Sequence, residues 1–367
     1  MSRDGKIAVV LGTRPEIIKM AEIVRLLGER VMLIHTGQHW DHMMSGHFMD
    51  QLGLPAPAVS LQVGGTTRAL QIAETLAGLE QAFARNTPVA VMVQGDTNTV
   101  VGGALAANAR SIPLIHVEAG LRSFDRAMPE EHNRIVTDHL ADLCLAPTQV
   151  SYDLLRSEGI AEGRIAMTGN TIVGTVERAL HTGADAARAI TTRLNLTEHD
   201  YIVATIHRPE NTDDPTQLAA ILQGLGTVAA SCPVIFPIHP RTRSRIAEFG
   251  LESSTSSLTM VEPLGYDEFV ALCAGAALAI SDSGGIQEEA SVWKRPVVVL
   301  RRSTERPEVQ GTFARLCTTP DELVSIVAPL LADRNAIIRR LEATPSPYGD
   351  SHAALRCVQA TLELIEG

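Results

Sequence analysis

The fold of this chain is indicated by the stretch Asp282-Ser283-Gly284-Gly285-Ile286-Gln287-Glu288-Glu289. An apolar run over 276–280 leads into it, and the residues after the two glycines suit a helix. This pattern predicts a strand, a tight turn and the start of a helix. Because backbone N–H groups at a helix N-terminus are unpaired and carry partial positive charge, we expect the turn to bind an anion.

Each polar or glycine position in this turn has a candidate role. Ser283 is able to cap the helix or to donate its hydroxyl to a phosphate. Gly284 and Gly285 allow an oxygen to approach the backbone with no Cβ in the way. Glu288 or Glu289, one turn further on, is able to accept both hydroxyls of a ribose. The alternative interpretation is an ordinary glycine-containing helix start, since glycine-rich turns are weak motifs.

The length and composition of the chain limit the number of domains and the kinds of partner that we expect. The 367 residues suffice for about two domains, and 45% hydrophobic residues supply a sizeable core. The net charge of −11 argues against a nucleic-acid surface, so any phosphate contact must come from local basic residues. The five cysteines are scattered and never form a C-x-x-C pair, which indicates buried free thiols in a reducing compartment.

Neither a targeting segment nor a membrane segment is evident in the sequence. Residues 1–5 run straight into a strand-like segment, without the apolar region of a secretory signal. The longest apolar run, 270–280, is too short to span a bilayer. We therefore expect a soluble cytoplasmic protein without a membrane partner.

Apolar strand-like runs alternate with helix-like segments along the chain. The predicted strands are 6–11, 31–35, 89–93, 113–117, 143–146, 201–206, 234–238, 258–260, 276–280 and 297–300. The predicted helices begin at Pro15 and continue with 38–52, 66–84, 97–109, 129–140, 151–158, 171–196, 215–230 and 353–365. Because the strands are apolar throughout, this alternation predicts parallel sheets covered by helices on both faces.

The α/β pattern restarts near residue 170. It predicts two doubly wound, Rossmann-like domains that face a cleft. The N-terminal domain comprises 1–169 and the C-terminal domain 170–352, with the last helix, in 353–367, packing back on the first domain. In open parallel sheets, ligands bind beyond the carboxyl ends of the strands, so the residues that follow the strands are the candidates for a site.

Basic and acidic residues follow the strands of the first domain. Arg14 is able to bind a phosphate through a bidentate fork and Lys19 as a point charge, unless both are solvated charges at a helix start. We expect Asp96, Glu118 and Glu130 to lie near one sheet edge. Crowded carboxylates raise one another's pKa, which suits a proton donor beside an acceptor.

Other interpretations of these residues stay open. Each carboxylate alone could be an acid at a helix N-cap or in a first turn. Arg122 and Arg134 could instead neutralise them in a structural ion-pair network. In the second half, His207 follows a strand, and the Arg, Glu and Asn close to it favour a site over a satisfied core histidine.

Motifs for metals and common cofactors are missing from the sequence. His39, His42 and His47 lack a carboxylate at ligand spacing, which argues against a metal site. The chain has no nucleophile elbow, no Walker loop and no G-x-G-x-x-G after the first strand. NAD and ATP are therefore not supported, and we expect no cofactor.

Jointly, the motifs closely resemble those of the non-hydrolysing UDP-N-acetylglucosamine 2-epimerase family. The matching stretches run in family order from residue 12 to residue 308: Gly12 to Glu16 with Lys19, Thr36 to His39, Gln94 to Thr97, His116 to Arg122, Pro129 to Glu131 with Asn133-Arg134, His207-Arg208, Asp282 to Glu289, and Thr304 to Glu308. The resemblance implies a glycosyltransferase-B-like fold of two domains, a homodimer, and no redox cofactor.

The resemblance also implies roles for single residues. The family's acid and base carboxylates correspond to Asp96, Glu118 and Glu130 in the N-terminal domain, and its active-site histidine corresponds to His207. Its UDP contacts, mostly in the C-terminal domain, correspond to Arg14, Lys19, Phe269, Ser283, Gly284, Gly285, Glu289 and Arg306. The aromatic side chain among them would lie against the flat uracil ring.

The activity that the resemblance implies is epimerisation at C2 between UDP-N-acetylglucosamine and UDP-N-acetylmannosamine. It proceeds by elimination and re-addition of UDP through a 2-acetamidoglucal intermediate. Alternatives stay open: an epimerase of a further-modified UDP-sugar in surface-polysaccharide or antibiotic biosynthesis, and a hydrolysing variant that releases N-acetylmannosamine and UDP. A UDP-sugar glycosyltransferase and a non-enzymatic UDP-sugar sensor are further alternatives.

Three departures from the family pattern bear on substrate and regulation. Pro209 stands third in a motif that is commonly His-Arg-Arg-Glu-Asn, and Ser123-Phe124-Asp125-Arg126 replaces the usual Thr-Gly-Asp. Trp40 and Asp41 follow Gln38-His39, where bacterial relatives often carry polar residues that hold an activating second UDP-sugar. We therefore expect weak or absent activation by a second substrate molecule.

Overall fold

The computed structural model describes residues 5–38, 49 and 52–367, and in this part of the chain the strands form two parallel sheets. The first sheet contains β1 (Ile7–Leu11), β2 (Val31–His35), β3 (Val59–Ser60), β4 (Ala90–Gln94), β5 (Leu114–Val117), β6 (Leu143–Ala146) and β7 (Ile165–Met167). Its spatial order is β3-β2-β1-β4-β5-β6-β7. The order reverses between β1 and β4, so the turns after these two strands flank a topological switch point.

The second sheet repeats this arrangement. It contains β8 (Ile202–Thr205), β9 (Val234–Pro237), β10 (Thr259–Val261), β11 (Leu278–Ser281), β12 (Val297–Leu300) and β13 (Ala314–Cys317). The spatial order is β10-β9-β8-β11-β12-β13. Here the switch point lies between β8 and β11, whose following residues are His207 and the Asp282–Glu289 stretch.

Helices connect the strands and cover the sheets. They are α1 (Arg14–Leu27), α2 (Arg68–Arg85), α3 (Asn98–Ala109), α4 (Pro129–Leu140), α5 (Gln149–Ser157), α6 (Ile172–Thr182), α7 (Ala184–Arg193), α8 (Pro209–Thr212), α9 (Pro215–Ala229), α10 (Pro240–Glu248), α11 (Tyr266–Ala274), α12 (Gly284–Trp293), α13 (Leu323–Ala332), α14 (Arg334–Glu342) and α15 (Ala353–Glu366). Several begin with a capping side chain such as Thr97 or with proline in the first turn.

The apolar strands form the centre of each sheet's core. β1, β4, β5 and β6 are buried along their whole length, as are β11 and β12 in the second sheet. Burial of side chains on both faces explains why these strands are apolar throughout rather than alternating. The α/β class with doubly wound parallel sheets is therefore confirmed.

Some elements differ from the predictions. β3, β7 and β13 were not predicted, because they are short edge strands that are only partly buried. The predicted helix over 171–196 is divided into α6 and α7 at Gly183. A Cβ at this glycine would lie 2.1 Å from the carbonyl oxygen of Asp267. Any residue larger than glycine would therefore require the backbone to move at this position.

Several predictions fall on residues outside the described part of the chain. The helix predicted over 38–52 lies almost entirely there. So do His39, His42 and His47, which were considered as metal ligands. Trp40 and Asp41, on which the prediction of weak activation depends together with Pro209, lie there as well.

The chain divides into two compact units. One unit comprises the residues up to Thr175 together with Tyr348–Gly367, and the other comprises Val176–Pro347. Within the first unit, α15 packs against α1. All five cysteines are buried and free of disulfides, as predicted. None of the described helices combines the length and the apolar composition needed to cross a membrane.

Candidate active site

Glu118 follows β5 and forms a buried ion pair with a lysine. Its Oε1 lies 2.5 Å from the Nζ of Lys19, and both side chains are almost fully buried. The Nε2 of Gln94, the last residue of β4, donates to Oε2 of the same carboxylate. The backbone of Glu118 is in the left-handed region, with φ of 66°. These contacts fix the orientation of the carboxylate, and the role of Lys19 as a phosphate contact stays a prediction.

Asp96 follows β4 and is paired with a buried arginine. Nη1 of Arg134 donates to Asp96 Oδ2, and Nη2 donates to Glu131 Oε2 at 2.8 Å. In addition, Asn133 Nδ2 donates to the carbonyl oxygen of Asp96 at 2.7 Å. Arg134 and Asn133 both belong to α4, so this helix holds the turn that carries Asp96.

Glu130 lies in the first turn of the same helix and is exposed. Because Asn133 joins α4 to Asp96, the start of the helix is fixed relative to the end of β4. β4 and β5 are neighbouring parallel strands, so Asp96 and Glu118 follow adjacent strand ends. The exposed Arg14 opens α1, which follows β1 on the other side of β4.

The ion-pair interpretation applies to one of the two arginines. Arg134 does pair with Asp96, as that interpretation expects. Arg122 instead pairs with Asp138 at 2.7 Å and with Glu158 at 2.6 Å. It therefore stabilises a neighbouring network and, among the contacts observed, does not neutralise the three candidate carboxylates.

This neighbouring network is a buried His–Asp pair that the sequence analysis missed. His116 Nδ1 lies 2.6 Å from Asp138 Oδ1, and its Nε2 lies 2.8 Å from the carbonyl oxygen of Gly95. Asp138 Oδ2 accepts from the backbone N–H of Gly120 at 3.2 Å. Burial opposes ionisation, but His116 and Arg122 keep the pKa of Asp138 below its ordinary value. The pair thereby connects the turns that carry Asp96 and Glu118.

Glu16 is a second buried acid that sequence reasoning did not single out. Its Oε2 accepts from the backbone N–H of Gly12 at 2.9 Å, and Oε1 accepts from the Thr97 hydroxyl at 2.8 Å. Burial raises the pKa of Glu16 to about 7, although these hydrogen bonds oppose the rise. The residue therefore joins the turns after β1 and β4 across the switch point.

In the second unit, Asp282 organises the turns after β8 and β11. This fully buried carboxylate accepts from the backbone N–H groups of His207 at 3.0 Å and Arg208 at 2.8 Å, and from Asn211 Nδ2 at 3.1 Å. His207 Nδ1 lies 2.9 Å from Asp282 Oδ1. Burial opposes ionisation, but the hydrogen bonds from His207 and its neighbours hold the pKa of Asp282 below its usual range.

The turn between β11 and α12 forms as the sequence predicts, with one difference. Ser283 is the N-cap residue, but its side chain makes no capping hydrogen bond, so one of its two candidate roles is not realised. A Cβ at Gly284 would lie 2.9 Å from Glu305 Oε1, whereas a Cβ at Gly285 would meet no heavy atom of the described residues within 4 Å. The fold itself therefore leaves space in front of Gly285.

The acidic residues of α12 have different surroundings. Glu288 is fully buried and accepts from Nε of Arg306, so it is tied to the protein. Arg306 Nη1 also lies 3.4 Å from Glu305 Oε1. Glu289 Oε1 accepts from the Tyr266 hydroxyl at 3.3 Å. Of the two candidates for a ribose contact, Glu288 is thus bound to a buried arginine, whereas the observed contact of Glu289 comes from the Tyr266 hydroxyl.

Phe269 lies in α11 and is half-buried. Its ring packs edge-on against Trp293 at the end of α12, with the ring centroids 6.3 Å apart. The described residues contain no cluster of His, Cys, Asp and Glu side chains that could hold a metal ion.

Comparisons with known proteins point to one family. The family model described as UDP-N-acetylglucosamine 2-epimerase matches residues 27–362. The UDP-N-acetylglucosamine 2-epimerase of Methanocaldococcus jannaschii is 42% identical over 96% of this chain and 98% of its own length. The UDP-2,3-diacetamido-2,3-dideoxy-D-glucuronate 2-epimerase of Pseudomonas aeruginosa is 35% identical over 98% of this chain and 100% of its own length.

Solved structures give the same result for the fold. The crystal structure of the Methanocaldococcus jannaschii UDP-GlcNAc 2-epimerase in complex with UDP-GlcNAc and UDP has a TM-score of 0.87 and 38% identity. The comparison covers 99% of this chain and 100% of that one. The structural neighbours have the glycosyltransferase-B-like fold, which confirms the prediction of this fold for the present chain.

Proposed function

The chain belongs to the UDP-N-acetylglucosamine 2-epimerase family, and from this premise we propose that it interconverts UDP-N-acetylglucosamine and UDP-N-acetylmannosamine without net hydrolysis. The observation that carries the proposal is the pair of carboxylates at adjacent strand ends. Glu118 has Lys19 as a buried partner, and Asp96 has Arg134. Two oriented acids beside each other are suited to moving a proton off and onto a carbon atom.

The second unit supplies the nucleotide site in this proposal. The Ser283 hydroxyl and the backbone N–H groups at Gly284 and Gly285 bind the diphosphate at the start of α12, where a helix terminus favours negative charge. The open space in front of Gly285 supports this role, because no described residue comes within 4 Å of a Cβ at this position. Arg306 adds a cation, and Arg14 and Lys19 complete the proposed set of basic phosphate contacts.

The nucleoside part has its own proposed contacts. Glu289 accepts from the ribose hydroxyls, and Phe269 lies against the uracil ring. The support for Glu289 is its position one turn into α12, beyond the proposed diphosphate site. The half-buried ring of Phe269 is held by Trp293, which gives a flat base a fixed surface for stacking.

The proposed reaction is an elimination followed by an addition. C2 of the sugar has no adjacent carbonyl group, so simple removal of its proton would be very slow. A base removes the C2 proton while the bond between C1 and the UDP oxygen breaks, which gives 2-acetamidoglucal and UDP. A proton then returns to C2 on the opposite face and the UDP oxygen adds to C1, so no atom is gained or lost.

Asp96, Glu118 and Glu130 are the proposed proton-transfer groups for the two faces of the ring. His207 stabilises the departing diphosphate. Asp282 holds the Nδ1 side of its ring, which leaves the Nε2 side for the ligand. Electrostatic stabilisation of the leaving group and proton transfer then come from different side chains.

The test is incubation of the purified protein with UDP-N-acetylglucosamine alone in heavy water, followed by NMR. We expect UDP-N-acetylmannosamine with deuterium at C2, because the removed proton exchanges before it returns. Slow release of 2-acetamidoglucal and UDP is expected as well. Product without deuterium, free N-acetylmannosamine as the main product, a requirement for NAD, or turnover only with an acceptor would each contradict the proposal.

A second candidate is epimerisation of a UDP-sugar with further substituents. The Pseudomonas aeruginosa relative carries the name of such an enzyme and is aligned over 98% of this chain. The same NMR assay with UDP-2,3-diacetamido-2,3-dideoxy-D-glucuronate compares the two substrates directly. A higher kcat/KM for this sugar than for UDP-N-acetylglucosamine would favour the second candidate.

The resemblance also leads us to propose a homodimer that works in the cytoplasm. Light scattering coupled to gel filtration tests the assembly: a mass of one chain at micromolar concentration would contradict the dimer. Cell fractionation of the native host tests the location.

A further inference from the structure

Phe124 has a strained backbone conformation and a side chain that is exposed to solvent. It is the most exposed large hydrophobic residue in the described part of the chain, with 72% of its surface accessible. Its φ of 58° lies in the left-handed region, which glycine adopts readily and a bulky side chain does not. Both features cost folding free energy, and such strain concentrates at functional sites.

The conformation of Phe124 is imposed by a buried carboxylate. Glu131 Oε1 accepts from the backbone N–H of Phe124 at 3.0 Å, and Oε2 accepts from the N–H of Ser123 at 2.9 Å and from its hydroxyl at 3.0 Å. The Ser123 hydroxyl oxygen also accepts from the N–H of Asp125 at 3.2 Å. The strained turn is therefore held by several hydrogen bonds at once and does not result from a loose loop.

The same carboxylate connects Phe124 to the proposed proton-transfer groups. Glu131 accepts from Arg134, which also donates to Asp96. Glu130 is the chain neighbour of Glu131, in the first turn of α4. A displacement of the Phe124 turn would therefore disturb the partner of Asp96, and this turn lies beside the acid–base residues.

We propose that Phe124 recognises the sugar part of the substrate, with its ring packing against the C–H face and the acetamido methyl group of the sugar. This inference rests on the proposed function and deepens it. In the absence of substrate, the aromatic ring is exposed to water. When an apolar part of the substrate covers the ring, apolar surface is removed from water and binding becomes more favourable. UDP without the sugar makes no such contact, so the side chain discriminates between the UDP-sugar and UDP.

The test compares Phe124→Gly, Phe124→Tyr and a control variant, Met167→Ala, with the wild-type protein. Met167 lies in β7 of the same unit and is 55% exposed, so the control removes a similar apolar surface elsewhere. Calorimetry gives the affinity for UDP-N-acetylglucosamine and for UDP, and thermal unfolding gives Tm.

We expect Phe124→Gly to lose about tenfold in affinity for UDP-N-acetylglucosamine, the scale of one buried aromatic contact, with UDP affinity unchanged within about twofold. Its Tm should equal or exceed that of the wild type, since glycine tolerates this backbone. Phe124→Tyr should retain wild-type binding, because the ring is kept, and Met167→Ala should bind both ligands as the wild type does.

Several outcomes would overturn the inference. These are wild-type affinity for UDP-N-acetylglucosamine in Phe124→Gly, an equal loss of affinity for both ligands, or a fall in Tm that accompanies the loss. A lower molecular mass of Phe124→Gly in light scattering would identify the ring as a contact between subunits instead. Binding of UDP-N-acetylglucosamine by the wild type without turnover would refute the proposed reaction but not the role of Phe124.

Discussion

Glu16 provides a test of the structure that does not depend on any assumed substrate. Its side chain is buried, and it joins the N–H of Gly12 to the hydroxyl of Thr97. Burial raises its pKa from 4.5 to about 7, against the opposing effect of its hydrogen bonds. We predict that Glu16→Gln makes the protein more stable than the wild type at alkaline pH.

The sign follows from proton binding in the two states. The folded protein holds a proton on Glu16 up to about pH 7, whereas the unfolded chain releases it near 4.5. Stability contributed by this group is therefore fully present below about pH 4.5 and is lost as the pH rises towards 7. At about 1.4 kcal/mol for each pH unit, the wild type loses roughly 3 kcal/mol over this range.

The amide in Glu16→Gln reproduces the hydrogen bonds of the protonated acid. Its oxygen accepts from the N–H of Gly12, and its NH₂ group donates to the hydroxyl of Thr97, which is able to act as an acceptor. The variant does not ionise, so it does not lose stability through this group. We expect nearly equal stability of variant and wild type at about pH 5 and an advantage of roughly 3 kcal/mol for the variant at about pH 8.5.

Urea-induced unfolding at the two pH values measures this difference. The control is Glu74→Gln, which removes an exposed carboxylate on α2 and so changes the net charge by the same amount. For the control we expect a difference from the wild type that varies little with pH. A Glu16→Gln advantage that is absent at high pH, or that shrinks as the pH rises, would refute the assignment of a buried, protonated Glu16.

The remaining predictions concern the proposed active site. Asp96→Asn and Glu130→Gln should each lower kcat by about 10²- to 10⁴-fold with UDP affinity nearly unchanged, as measured by NMR turnover and calorimetry. Arg306→Ala should weaken UDP binding by roughly ten- to hundredfold, and wild-type affinity in calorimetry would exclude it from the nucleotide site. His207→Ala should slow turnover while UDP binding persists. Asp282→Asn should also slow it, and an unchanged kcat in this variant would show that Asp282 does not orient His207.

The sequence predicts the fold well where the strands are buried on both faces. The continuous apolar runs of β1, β4 and β11 leave few alternatives, and the polar turns after them mark where each strand ends. β3 and β7 escaped prediction because an edge strand of two or three residues buries too little surface to require an apolar sequence. At Gly183, where α6 gives way to α7, the backbone lies close to the carbonyl oxygen of Asp267, and local sequence does not reveal this approach.

The partners of the candidate residues are harder to predict than the residues themselves. Asp96 and Glu118 were expected at strand ends, and they follow β4 and β5. Their counter-charges, Arg134 and Lys19, come from helices far away in the chain, so only the packing of these helices brings them close. Glu16 belongs to a motif at a helix start, and local sequence does not reveal its burial or its contacts with Gly12 and Thr97.

The charged contacts of the first unit indicate how its acids are held in place. A buried charge without a partner is strongly destabilising, so each buried side chain that stays charged in this unit needs an oppositely charged side chain beside it. Arg134 joins Asp96 to Glu131, and Glu131 in turn holds the turn of Phe124. The position of one proposed proton-transfer group and that of the strained aromatic residue therefore depend on the same buried carboxylate. Under the proposed function, sugar recognition and acid–base geometry are thus coupled through α4, and a change in either one is expected to affect the other.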